Sequence, residues 1–427
     1  MTHFVEPMKP CKLLGAYATV SGIRNALPLL HSPCGCQYYL RACLLLHDGI
    51  DPVILTSDIS QDNVIFGGED KLRASILECY NAYKPNLIVV LGSCAPSLVG
   101  DDMEAVANGL KDQLQSDIIV VDSAGFAGDQ TSGFRDVTLK LLEKYANDDV
   151  RVKKKVVNLI GFIPGYDYRW RQDIKSIINT LSLMGIEVNA VLGGYNSIEQ
   201  MKEIGSAELN IVFSDIRGIE IANYLHQRFK TPFIRPKYLP IGMQCVSDWI
   251  DEVSHCLNIE IASKNMAKRA VDEAIKQFEY IDLGLVTTYT VDARATIVCE
   301  PYRAITLAKF LSKDIGMNIS NICATESNTE TENFLMHSLE EMGICDCKVT
   351  TQVDGFTVRK SIEEIKPGIV YGSTFERASA YNVGASLIRI GYPSYDETLI
   401  TYRPYMGIDG IPVVMEDLCN AVIKREL

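Results

Sequence analysis

The sequence has no run of lysines and arginines, no leader-like opening and no apolar stretch long enough for a bilayer. Each absence removes a class of function. With 54 acidic against 41 basic side chains, giving a net charge of −13, nucleic acid is excluded as the main partner. The opening MTHFVEPMKP has no basic region followed by an apolar one, so no secretory signal is expected. Apolar runs such as 87–91 fall far short of the ~20 residues that a spanning helix needs. The expected compartment is the cytoplasm. No Gly-x-x-x-x-Gly-Lys-Ser/Thr occurs, so ATP is not bound through a P-loop. Histidine is scarce, at six residues, and no Gly/Ser/Pro-rich linker interrupts the chain.

What is present points to a large α/β protein. The chain has 427 residues, 47% of them hydrophobic, too many for one ordinary domain. Continuous apolar runs such as 86–91, 117–121, 156–161 and 209–213 read as strands buried on both faces of a parallel sheet. Helical patterns alternate with them, among them 170–184, 219–229 and 411–424, with a long amphipathic helix at 262–281. Three strand–helix series follow: 1–152, 153–288 and 289–427. They predict three Rossmann-like, doubly wound parallel-sheet domains packed around one site.

The cysteines carry the chemistry. Thirteen, an odd number, in a reducing compartment favour metal ligation or free thiols over a disulfide framework. Cys11 is expected in an N-terminal loop, Cys36 on a turn opening a helix, and Cys94 at the end of an apolar strand. Soft thiolates at the mouth of a sheet suit iron–sulfur ligation. Three unrelated core thiols are the plainer reading of the same residues. Cys345 and Cys347 have no second pair or histidine at zinc-site spacing. They read, like Cys299 and Cys43, as structural.

The stretches around the three cysteines resemble component 1 of the nitrogenase family. They are Cys11-Lys12-Leu13-Leu14-Gly15-Ala16, His31 to Cys36, Phe66-Gly67-Gly68, and Cys94 followed by Gly100-Asp101-Asp102. The resemblance runs from Pro7 to about Glu426. It implies an iron–sulfur cluster, 8Fe–7S like a P-cluster or 4Fe–4S, held by Cys11, Cys36 and Cys94 at a seam with an α-type subunit that gives the remaining thiolates. It implies a heterotetramer of two α-type and two β-type subunits, and a separate homodimeric ATP-binding iron protein that docks and passes electrons. His31 is expected to orient the Cys36 turn. Cys34, between them, is an addition to the family pattern.

Further residues assign the chain to the β type. Where α subunits end the middle-domain strand in a cofactor-binding Cys, this chain has Ser214. Their third-domain His has no counterpart in Ile388-Arg389-Ile390-Gly391-Tyr392-Pro393. Soft metal has no donor there, so the substrate-reducing cofactor is expected on the partner. Arg235-Pro236, Arg389 to Asp396 and Tyr402 to Gly407 resemble the β-subunit sequence. A serine that β subunits can place near the cluster falls at Gly125. The implied role is electron relay, with no side chain as acid or base. The alternatives are a subunit of a cofactor-assembly scaffold, or of a related reductase of a tetrapyrrole or organosulfur compound.

Overall fold

The computed structural model describes residues 8–44, 54–194, 196–281 and 294–426. Its strands form three separate sheets. The first contains β1 (Ala26–His31), β2 (Leu55–Thr56), β3 (Leu87–Gly92) and β4 (Asp117–Asp122) in the order β2-β1-β3-β4. The second contains β5 (Lys153–Ile160), β6 (Glu187–Leu192), β7 (Ala207–Val212) and β8 (Phe233–Ile234), ordered β6-β5-β7-β8. The third contains β9 (Arg294–Cys299), β10 (Asn318–Ala324), β11 (Lys348–Thr351), β12 (Ile369–Gly372) and β13 (Ser386–Arg389), ordered β11-β10-β9-β12-β13. Every pairing between these strands is parallel. The α/β reading with three parallel sheets therefore holds.

The expected strands are present because their residues are buried without alternation. All six residues of β3 are buried, as a central strand covered by helices on both faces requires. The expected helix at 170–184 is Trp170–Leu183, that at 219–229 is Asp215–Phe229, and the closing helix is Gly410–Glu426. The long helix at 262–281 is Ile261–Lys276, continued by turns. The expected boundary at 288/289 lies outside the described residues. Among those residues no helix is long and apolar enough to cross a membrane.

Two elements at the head of the chain have no counterpart among the expected ones. Residues 12–21 form helix α1 (Lys12–Ser21), buried from Lys12 to Val20. A helix enclosed on all sides loses the one-sided periodicity that marks a surface helix. The strand β1 carries Pro28 and still sits between β2 and β3, a place where proline argues against a strand.

In each sheet the strand order reverses beside the first strand, between β1 and β3, β5 and β7, and β9 and β12. Ligands of open α/β sheets gather outside the carboxyl ends of the strands at such points. The chain leaves β1 at His31 and β3 at Gly92. Both exits run directly into cysteine-bearing turns.

Candidate functional site: a cysteine cluster at the first switch point

Each of the three expected cysteines opens a helix. Cys11 is the N-cap of α1. Cys36 lies in the first turn of α2 (Cys34–Leu44). The capping residue Ser93 precedes Cys94, which begins the short helix 94–99. Cys11 is thus at a helix start rather than in a free loop. The peptide N–H groups at the heads of α1 and α2 favour negative charge near Cys11 and Cys36.

The three are brought together. Gly125 sits between Cys11 and Cys94: its N–H donates to Cys94 Sγ at 3.1 Å. A Cβ added at Gly125 would lie 3.1 Å from Cys11 Cβ and 3.5 Å from Cys94 Sγ. Glycine here leaves room for a group larger than two thiols and turns an N–H toward it. Cys36 lies within electrostatic reach of both others. Burial pushes its thiol above the usual range, and the Cys11 and Cys94 charges push the same way. Burial also raises Cys11, while the backbone N–H groups of Leu14 and Leu13 pull it back and Cys94 and Cys43 add to the rise. Crowded thiols of this kind release their protons when iron supplies the compensating positive charge.

The backbone around Cys11 is fixed by close helix packing. Lys12 N–H donates to Gly128 O, and Gln130 N–H to Pro10 O. The helix Gln130–Tyr145 then lies directly on α1. A Cβ at Gly15 would stand 1.8 Å from Gln130 O, and one at Gly133 would stand 2.1 Å from Lys12 O. This explains the Gly in Leu14-Gly15-Ala16 without recourse to chemistry.

The remaining motif residues form one hydrogen-bonded brace. His31 is fully buried. Its Nδ1 meets Ser57 Oγ at 2.8 Å and its Nε2 meets Asp101 Oδ2 at 3.0 Å. Asp101 Oδ1 accepts from Gly68 N–H at 2.9 Å. A Cβ on Gly68 would lie 2.7 Å from Asp101 Oδ2 and 3.0 Å from the His31 ring. The ring of His31 therefore ties together three separate stretches of chain rather than orienting the Cys36 turn. Asp101, Ser57 and Gly68 were missed as a unit: Gly100-Asp101-Asp102 marks a place in the sequence but not a partner 70 residues away.

Burial holds the His31 pKa below its ordinary value, against the pull of Asp101. The folded chain therefore favours neutral imidazole, and the unfolded chain takes up the extra proton. Stability from this group is complete above about pH 6.5 and is lost as pH falls toward the depressed folded value. Between about pH 7 and about pH 4 the unfolding free energy of wild type should fall more steeply with acid than that of His31→Asn, measured by denaturant titration followed by circular dichroism.

The other cysteines stand apart from the trio, with two exceptions. Cys34 is exposed at the head of α2 and still contributes to the rise at Cys36. Cys43, expected to be structural, lies near Cys11 and bonds with Tyr39 and Tyr392. Cys345 is exposed and Cys347 half-buried. Among the described residues no three His, Cys, Asp or Glu side chains close on a single ion. A cluster does not ask for that, because each thiolate takes a different iron atom. The donor set of Cys11, Cys36 and Cys94 fits an iron–sulfur cluster with at least one further ligand from elsewhere.

At the position where a soft ligand would end β7, Ser214 Oγ accepts from Arg217 Nε at 3.1 Å. Arg217 is in turn paired with Asp167 at 2.8 Å. The hydroxyl is engaged in a salt-bridged network.

Three doubly wound sheets around a thiol-lined switch point define a class of multidomain α/β redox protein. The chain belongs to the nitrogenase component 1 type oxidoreductases, whose family model matches residues 11–423. It is 22% identical over 439 residues to the nitrogenase molybdenum-iron protein beta chain of Clostridium pasteurianum, covering 99% of this chain and 93% of that one. It is 26% identical over 382 residues to the nitrogenase iron-molybdenum cofactor biosynthesis protein NifE of the same organism, covering 88% and 80%. A subunit of the light-independent protochlorophyllide reductase of Synechococcus elongatus is 23% identical over 426 residues, covering 96% and 81%. The fold matches the solved structure described as nitrogenase Cp1 at pH 6.5, with a TM-score of 0.85 at 21% identity over 100% of this chain and 94% of that one.

Proposed function

We propose that the chain is the β-type subunit of a nitrogenase or nitrogenase-like reductase, relaying electrons from an ATP-dependent iron protein to a cofactor on an α-type partner. The observation that carries this reading is the meeting of Cys11 and Cys94 at Gly125, with Cys36 in the charge field of both. When bound, the cluster supplies one-electron storage. The chain's own residues tune it: thiolate number, the Gly125 N–H beside Cys94, and the buried surroundings. The first domain boundary falls at 152/153 in this reading, where β5 begins.

The partner's thiolates must reach this mouth, and the surface around it suits a partner. Ile65 and Phe66 on the helix Gln61–Phe66 are 70% and 85% exposed, and Tyr38, Leu98 and Phe126 are exposed as well. Large apolar side chains left in water around a polar mouth mark a protein interface. Phe66→Asp should weaken association with the α-type partner at least ~10-fold, equivalent to about 1.4 kcal/mol. The melting temperature of the chain alone should stay unchanged. Titration by analytical ultracentrifugation reads the first quantity and calorimetry the second.

The test of function is anaerobic purification with the partner and an iron protein, followed by turnover. Electron transfer to substrate with ATP supports the reductase. The 26% likeness to a cofactor-biosynthesis protein favours one second reading, a scaffold subunit. Stable transfer of a metal cofactor without turnover would select it.

A further inference from the structure

A second set of strand ends meets at the switch points of the other two sheets. Arg217 and Asp167 follow β7 and β5, Cys299 ends β9 with Glu300 after it, and Glu376 follows β12. These enclose a cavity of about 40 Å³, closed on one side by Tyr166 and Tyr392. That is room for one to a few water-sized groups. The rings of Tyr166 and Tyr392 stack with centroids 4.9 Å apart.

The charges around this space are unbalanced in one direction. Arg217 pairs with Asp167 at 2.8 Å. Arg303 stands 3.6 Å from the other Asp167 oxygen and donates to Ile390 O at 2.8 Å. Glu326 accepts from Tyr166 Oη and from Thr131 Oγ1. Glu376 accepts from the N–H and hydroxyl of Ser373. Lys9, at the rim, faces Asp129. Glu300 is left over. It is 6% exposed, and among the described residues neither of its carboxylate oxygens has a hydrogen-bond partner. Four carboxyl groups thus face two guanidiniums and the rim Lys9; burial lifts Glu376 as well to about 7, and Glu300 is the one of the four without a donor. A buried carboxylate without donors is costly unless something positive or proton-bearing meets it. Burial lifts Glu300 to about 7, with Asp215 and Glu326 adding to the rise and Arg217 and Arg303 opposing it.

We propose that this cavity binds one dehydrated monovalent cation of potassium or ammonium size against the Glu300 carboxylate. A divalent ion is the wrong guest, because it demands several carboxylates at once and no three acidic, Cys or His groups among the described residues converge. A large monovalent ion is satisfied by one carboxylate with carbonyl and hydroxyl oxygens. Its position, bridging the second and third sheets, makes it a structural counter-ion for the junction. This inference does not depend on the cysteines binding iron.

The test uses the full chain exchanged into tetramethylammonium chloride, with rubidium as the probe. Equilibrium dialysis should find one rubidium per chain in wild type. Potassium and ammonium should displace it, whereas lithium and tetramethylammonium should not. Displacement by potassium alone would assign a metal-ion site, and displacement by ammonium alone an amine site. Glu300→Gln, an isosteric change, should abolish rubidium binding while its far-ultraviolet spectrum stays that of wild type. Potassium should raise the wild-type melting temperature by ~2–4 °C over tetramethylammonium at equal ionic strength, and leave the variant unmoved. Absence of bound rubidium in wild type, or equal binding by folded Glu300→Gln, overturns the proposal. Should the variant not fold, the displacement series decides: lithium competing as well as potassium does refutes a size-selective site.

Discussion

Replacing Cys36 or Cys94 with alanine is expected to strip the purified complex of the iron at this mouth, leaving less than about a tenth of it. Cys345→Ala should keep the full complement. The difference follows from where the thiols lie. Cys94 accepts from the Gly125 N–H, and Cys36 shares the charge field of Cys11 and Cys94. Cys345 is exposed and sits beyond β10, in another sheet. Removing one thiolate would leave an iron atom without its protein ligand, and the two nearby thiols are placed otherwise: Cys34 is exposed at the head of α2 and Cys43 is bonded to Tyr39 and Tyr392. Gly125 has no side chain, and Ser93 offers only a hard hydroxyl. Colorimetric iron determination and electron paramagnetic resonance after reduction, both on anaerobic samples, read the outcome.

The second large effect is expected far from any metal chemistry. Gly15→Val should destabilise the chain by on the order of 4 kcal/mol or more. It should also lower iron content, although the clash is with Gln130 and not with a cysteine. The added Cβ meets the Gln130 carbonyl oxygen at 1.8 Å and the Gln130 Cα at 2.7 Å. Both are backbone atoms, so no rotamer change relieves the clash. The two helices must separate, and the N-cap Cys11 moves with α1. Gly35→Ala serves as the control, since an added Cβ there meets nothing within 4 Å. Calorimetry should show a lower melting temperature for Gly15→Val only.

The parallel sheets were legible because burial writes itself as continuous apolar runs, as in Leu87 to Leu91. Cysteine placement was legible through the fixed spacing of Cys11, Cys36 and Cys94 to their glycines. What stayed hidden was of two kinds. The helix α1 and the strand β1 break the local rules: one is enclosed on all faces, and the other carries Pro28 between two neighbours. Tertiary packing decides both. The brace of His31, Asp101 and Gly68 and the surroundings of Glu300 rest on contacts between distant parts of the chain, 33 positions apart for Gly68 and Asp101 and 160 for Tyr166 and Glu326. No periodicity encodes such pairs. The sequence does carry a trace of the first in the order His31, Gly68, Asp101, each at the end of an apolar or helical segment.

Crystals of the chain with its partner, grown without oxygen and measured at the iron absorption edge, test the central claim most directly. A strong anomalous peak is expected in contact with Cys11, Cys36 and Cys94, completed by sulfur from the partner. An anomalous map that is flat at those three cysteines in a fully reduced, catalytically competent complex would contradict it.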